Sequence, residues 1–135
     1  MGQCYSVYLK VKLRDADAFV RLTREFAAAN KWPKQDIDRL TGIDSVINCM
    51  ISSGGVDSCG YEDGWPVFRS GFDASYSWNG AMEEWFRAVA PSLVPGSEIE
   101  VWPDSGSWKC TVKDGGKCEM TEYEEAGDDE EDDEI

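Results

Sequence analysis

Gly71–Val89, GFDASYSWNGAMEEWFRAV, carries two different periodicities back to back. Phe72, Ala74, Tyr76 and Trp78 alternate with Asp73, Ser75 and Ser77, the period-two pattern of a half-buried strand. Asn79 is placed to N-cap a helix. Met82, Trp85, Phe86 and Val89 then recur at i, i+3, i+4 and i+7, a single apolar stripe. Pro91 ends the helix. A strand feeding an amphipathic helix predicts a sheet covered by helices, which is an α+β architecture.

Upstream, Tyr5, Val7, Leu9, Val11 and Leu13 alternate with Ser6, Tyr8, Lys10 and Lys12, so residues 3–13 read as a strand with one wet face. Asp15 caps a helix whose inner side carries Phe19, Leu22, Thr23 and Phe26, with Asn30 near its end. Trp32-Pro33 opens a short helix to about Leu40, with Trp32 stapled on Ile37, and Gly42 ends it. Ser45–Ile51 is apolar on both sides and reads as a central strand. Ser52–Gly64, with Gly54, Gly55, Gly60 and Gly64, reads as a mobile loop. Trp65–Phe68 begins a strand, with a bend at Gly71.

Downstream, Glu98–Trp102 and Ser107–Val112 flank Pro103-Asp104-Ser105-Gly106 and read as a hairpin. Pairing Trp102 with Ser107 sets Val101 against Trp108 and Ile99 against Cys110 on one face, and Glu100 against Lys109 on the other. A three-residue turn at Asp114-Gly115-Gly116 then sets Val112 against Cys118 and Cys110 against Met120. The expected fold is a single, mostly antiparallel sheet with two or three helices on one face, in the order β-α-α-β-β-α-β-β-β. Residues 1–123 form that domain, and residues 124–135 are expected to be a disordered acidic tail.

The chain of 135 residues has a formal net charge of −14, unevenly placed. The eleven acids from Glu119 to Glu134, with no base among them, leave −3 for residues 1–118. Such a charge repels nucleic acid and anionic membranes and attracts basic partners. The start, MGQCYSVYLKVKL, lacks the apolar core of a secretory leader, so a cytoplasmic location is expected, with the five cysteines as free thiols. No apolar run is long enough to span a bilayer.

Candidate chemistry is sparse. Histidine is absent, which removes Ser-His, Cys-His and His-ligated metal sites together. The cysteines have no CxxC spacing, and Cys49, Cys110 and Cys118 fall on expected inner faces, where a thiol packs as a small apolar group; no metal or other cofactor is expected. Ser52-Ser53-Gly54-Gly55 lacks the Lys-Ser/Thr ending of a phosphate loop. Glu83 and Glu84, or Asp73 with Glu83, pair carboxylates, but acids in a first helical turn answer the macrodipole. Met1-Gly2-Gln3-Cys4-Tyr5-Ser6 matches an acylation pattern that competes with the start of the first strand. No catalytic residue is expected. Trp102, beside Glu98 and Glu100 on the outer face of the hairpin, is suited to anchor a partner.

The segment GFDASYSWNGAMEEWFRAVAPSLVPGSEIEVWPDSGSWKCTVKDGGK resembles a pattern found in small acidic proteins of phages and mobile elements of Gram-positive bacteria. The shared pattern is strand, helix ending in Ala-Pro, Gly-Ser and a hairpin with a PDxG-like turn. Proteins of that origin include anti-restriction and anti-CRISPR inhibitors, some of which mimic DNA. The resemblance assigns no residue a role; it implies a non-catalytic inhibitor that occupies the basic nucleic-acid-binding surface of a host nuclease. The partner-binding candidates are Glu98, Glu100, Trp102, Glu122, Glu124, Glu125, Asp128, Asp129, Glu130, Glu131, Asp132, Asp133 and Glu134. The competing expectations are a small enzyme or ligand-binding domain using the 52–64 loop, and a lipid-anchored adaptor.

Overall fold

The computed structural model describes residues 2–52, 55–104 and 106–123. Among them six strands form one antiparallel sheet: β1 (Gly2–Lys10), β2 (Ser58–Glu62), β3 (Trp65–Ser75), β4 (Glu98–Trp102), β5 (Ser107–Lys113) and β6 (Lys117–Tyr123). The helices are α1 (Ala16–Ala29), α2 (Lys34–Asp38), α3 (Ile43–Ile51) and α4 (Trp78–Val89). The strand order is β2-β3-β1-β4-β5-β6, so β1 lies inside the sheet and β2 and β6 are its edges. The α+β expectation is met, with one helix more than anticipated.

The helices cover one sheet face. Tyr5, Val7 and Leu9 of β1, Phe72 of β3, Ile99 and Val101 of β4, and Trp108, Cys110 and Val112 of β5 are buried on it. Phe19, Phe26, Met82, Trp85, Phe86 and Val89 complete the core from α1 and α4. Trp85 packs edge-on to Phe19 at 6.0 Å and donates its indole N–H to Thr23 Oγ1 at 2.9 Å, so its polar atom is satisfied within the core.

Local signals explain most boundaries. Asp15 Oδ1 accepts from Ala18 N at 3.0 Å, the expected cap of α1. Both hairpins take the expected registers, Glu100 against Lys109 and Val112 against Cys118. Gly115 and Gly116 sit at positive φ in the connecting turn, a conformation that favours glycine.

Several expectations need correction. Ser45–Ile51 belongs to helix α3, not to a central strand. Val46, Ile47, Met50 and Ile51 are all buried, and their spacing fits a helical stripe as well as a two-sided strand. Ser45 Oγ accepts from the N–H groups of Thr41 and Gly42, at 3.0 and 2.9 Å, so Gly42 opens α3 and does not merely close α2.

Ser58–Glu62, expected within a loop, is edge strand β2. It turns into β3 through Asp63-Gly64, both at positive φ, the backbone of a two-residue hairpin. β3 runs without a break from Trp65 to Ser75 and stops before Tyr76 and Trp78. Asn79 does not cap α4, which begins at Trp78; its Oδ1 accepts from Trp108 Nε1 at 2.6 Å. Trp32 stacks on Trp78 with ring centroids 5.9 Å apart and meets Phe26 edge-on at 6.1 Å.

Candidate interaction surfaces

Sheet pleating sends alternate residues to the uncovered face. There β4 presents Glu98, Glu100 and Trp102 together, and Trp102 is 44% exposed. The register sets Glu98 against Lys10, Glu100 against Tyr8, and Trp102 against Ser6. Glu98 is not a free carboxylate. It lies between Lys10 Nζ at 4.0 Å and Lys109 Nζ at 3.7 Å, with its side chain only 16% exposed.

Compensation extends across this face. The cations Lys10, Arg69, Lys109, Lys113 and Lys117 share it with the anions Glu62, Asp73, Glu98, Glu100 and Glu119, five of each. Arg69 pairs with Glu62 at 2.6 Å, and Lys113 with Glu119 at 3.2 Å. Tyr8 Oη donates to Glu62 at 2.7 Å while the Arg69 guanidinium stands over the Tyr8 ring at 4.9 Å. Burial, then the Glu62 carboxylate, pushes the Tyr8 phenol up to about 12. The hydrogen bonds from Tyr8 and Arg69 hold Glu62 below its ordinary value. This network escaped sequence reading because β2 was not recognised; the Asp63-Gly64 pair before Trp65 was the available signal.

Glu122 is exposed on edge strand β6, opposite Trp108 on the helix side. It therefore does not share a face with Glu98 and Glu100. Glu124, Glu125, Asp128, Asp129, Glu130, Glu131, Asp132, Asp133 and Glu134 lie outside the described residues. Since β6 is the outermost strand, the acidic run follows directly from a sheet edge.

The helix layer carries a cleft of about 700 Å³ lined by Trp32, Asp36, Arg39, Asn48, Cys49 and Trp78, among others. Trp78 Nε1 donates to Met50 O at 3.0 Å, and burial raises the Cys49 thiol above its ordinary value. Ser52 and Gly55 reach this cleft, but Ser53 and Gly54 lie outside the described residues, and β2 has its own pairing with β3. A second cleft of about 690 Å³ runs between α1 and the α2–α3 segment, lined by Arg21, Arg24, Glu25 and Ile43. Three of its charges are engaged: Arg21 pairs with Glu25, and Arg24 donates to the carbonyls of Ile37 and Leu40.

Gly2 and Cys4 belong to the β1–β3 ladder, opposite Ser75 and Asp73. That pairing of Gln3–Tyr5 inside the sheet speaks against the acylation reading of the first six residues. Among the described residues no helix is long and apolar enough to cross a membrane, and no three of His, Cys, Asp and Glu converge. Comparison with family models, curated proteins and solved structures found no match to this chain.

Proposed function

We propose that the chain is a stoichiometric, non-catalytic interaction protein whose acidic terminal run binds a basic protein surface. That surface is of the kind a bacterial nuclease offers to nucleic acid, and the chain acts there as an inhibitor that takes the place of phosphates. The partition of charge carries this reading. The uncovered sheet face balances its own cations and anions, Glu119 included, while the ten acids from Glu122 to Glu134 have no basic residue among them. An extended chain advances about 3.3–3.6 Å per residue, close to the roughly 3.4 Å charge spacing of one DNA strand. Seven successive acids such as Asp128–Glu134, when drawn out along a partner, match a strand of phosphates in linear charge density. Trp102 supplies an apolar anchor on the uncovered face, and Glu98 contributes little because two lysines already hold it.

The test is capture of basic nucleases from a bacterial lysate by the full chain and by a chain ending at Tyr123. Loss of capture on truncation, and release by about 0.5 M salt, where the Debye length is near 4 Å, support the reading. Full retention by the shortened chain rejects it.

A second reading, a small-ligand-binding domain, rests on the Trp32–Trp78 cleft, whose volume is ordinary for such a site. It predicts that a compound library includes a ligand that shifts indole fluorescence, and that Trp32→Ala abolishes the shift.

A further inference from the structure

The register of the last hairpin places two thiols side by side. Val112 faces Cys118 and Cys110 faces Met120, so Cys110 and Cys118 are diagonal neighbours on the helix side of the sheet. Cys110 is fully buried; Cys118, on the edge strand, is half-buried. Their side chains share that face, and at such a diagonal the Cβ atoms lie closer together than the backbone. Arg87 of α4 acts on both sulfurs and is held at 3.1 Å by Glu83, whose carboxylate also acts on Cys110.

The offset matters. Diagonal cross-strand neighbours stand about 7–8 Å apart at Cα, beyond the roughly 4.4–6.8 Å of a disulfide. A metal ion bridging two sulfurs at about 2.3 Å each spans up to roughly 4.6 Å between them. Two thiols leaning from diagonal positions of one face reach that separation by side-chain rotation. Two donors do not satisfy zinc, which takes four. They do satisfy a soft monovalent d10 ion, which prefers thiolate sulfur and accepts linear coordination.

We propose that Cys110 and Cys118 form a two-coordinate site for a soft monovalent cation of the copper(I) type, entered from the β6 edge beneath α4. Binding breaks two S–H bonds, forms two metal–sulfur bonds and releases two protons to water; no electron is transferred. The bis-thiolate complex carries a single negative charge, which the Arg87 guanidinium faces. The ion clips β6 to β5 immediately before the acidic run, yet the site is independent of what that run binds.

The experiment titrates copper(I), buffered by a chromophoric chelator without oxygen, into the full chain carrying Cys4→Ser, Cys49→Ser and Cys59→Ser. One ion per chain is expected to leave the chelator, with a thiolate-to-copper absorption band. Adding Cys118→Ser abolishes uptake, and Cys110→Ala repeats the test from the buried side. In the unsubstituted chain, copper(I) is expected to protect Cys118 from alkylation, read by peptide mass. No uptake by the folded triple variant, undiminished uptake after Cys118→Ser, or alkylation of Cys118 unaffected by the ion would each overturn the site.

Discussion

Trp85 Nε1 donates to Thr23 Oγ1 at 2.9 Å, and Thr23 Oγ1 donates in turn to Phe19 O at the same distance, with Thr23 and Trp85 both fully buried. This relay joins α4 to α1 at the centre of the helix layer. Thr23→Val keeps the shape and removes the acceptor, leaving the indole N–H unpaired out of reach of water. A stability loss of about 1–3 kcal/mol is expected, read as a lower midpoint in urea with an unchanged slope.

Gly116 combines a φ of +76° with an added Cβ that would stand 3.1 Å from Pro91 Cα. Gly116→Ala is therefore opposed twice, by backbone strain and by the 3₁₀ turn at Ala90–Ser92. The left-handed conformation alone costs roughly 1–2 kcal/mol. Gly115, at φ +79° with open space around it, meets only the first penalty. Thermal melts are expected to rank Gly116→Ala below Gly115→Ala, and both below the unsubstituted chain.

The basic limb of stability has a definite sign. Burial first, then Glu62, pushes Tyr8 up to about 12 from 10.0. Burial first, then Cys118, pushes Cys110 up to about 12 from 9.0. The folded chain keeps both protons at pH values where the unfolded chain has begun to lose them, so stability falls as pH rises. The fall begins near pH 9 and runs through about 12. Tyr8→Phe removes the phenol's share, so a shallower decline is expected above pH 10. A decline of unchanged slope would mean that the Tyr8–Glu62 bond does not persist in solution.

Glu98 sits between two lysines at the uncovered face, and Glu98→Gln leaves both without their shared carboxylate. Partly exposed pairs of this length are worth about 0–1 kcal/mol. The expected loss is of that size at low salt and is erased at about 1 M salt, where the Debye length is near 3 Å. Partner capture is expected to survive this substitution, in contrast with truncation at Tyr123.

How far the sequence could be read depended on the range of the deciding interaction. The β4–β5–β6 registers were legible because each one-residue slip turns Ile99, Cys110 and Val112 to the wrong face, so alternation and turn length specify one answer. Ser45–Ile51 was not, because a short apolar run satisfies both periods and the choice is made by Ser45 closing the turn at Thr41 and Gly42. Asn79 illustrates a tertiary override, since its side chain caps no helix end but holds an indole some thirty residues away. At the candidate surface, the grouping of Glu98, Glu100 and Trp102 followed from pleating alone. The neutralisation of Glu98 did not, because Lys10 arrives from a strand nearly ninety residues earlier in the chain.

The placement of β1 between β3 and β4 has a consequence for biosynthesis. The ribosome makes this strand well before its two neighbours, Trp65–Ser75 and Glu98–Trp102. At about 5–20 residues per second, the apolar edge of Tyr5, Val7 and Leu9 waits roughly 5–20 s before both partners have been made. The nascent chain is thus expected to call on holding chaperones, and to complete its sheet only after Lys117–Tyr123 has been made.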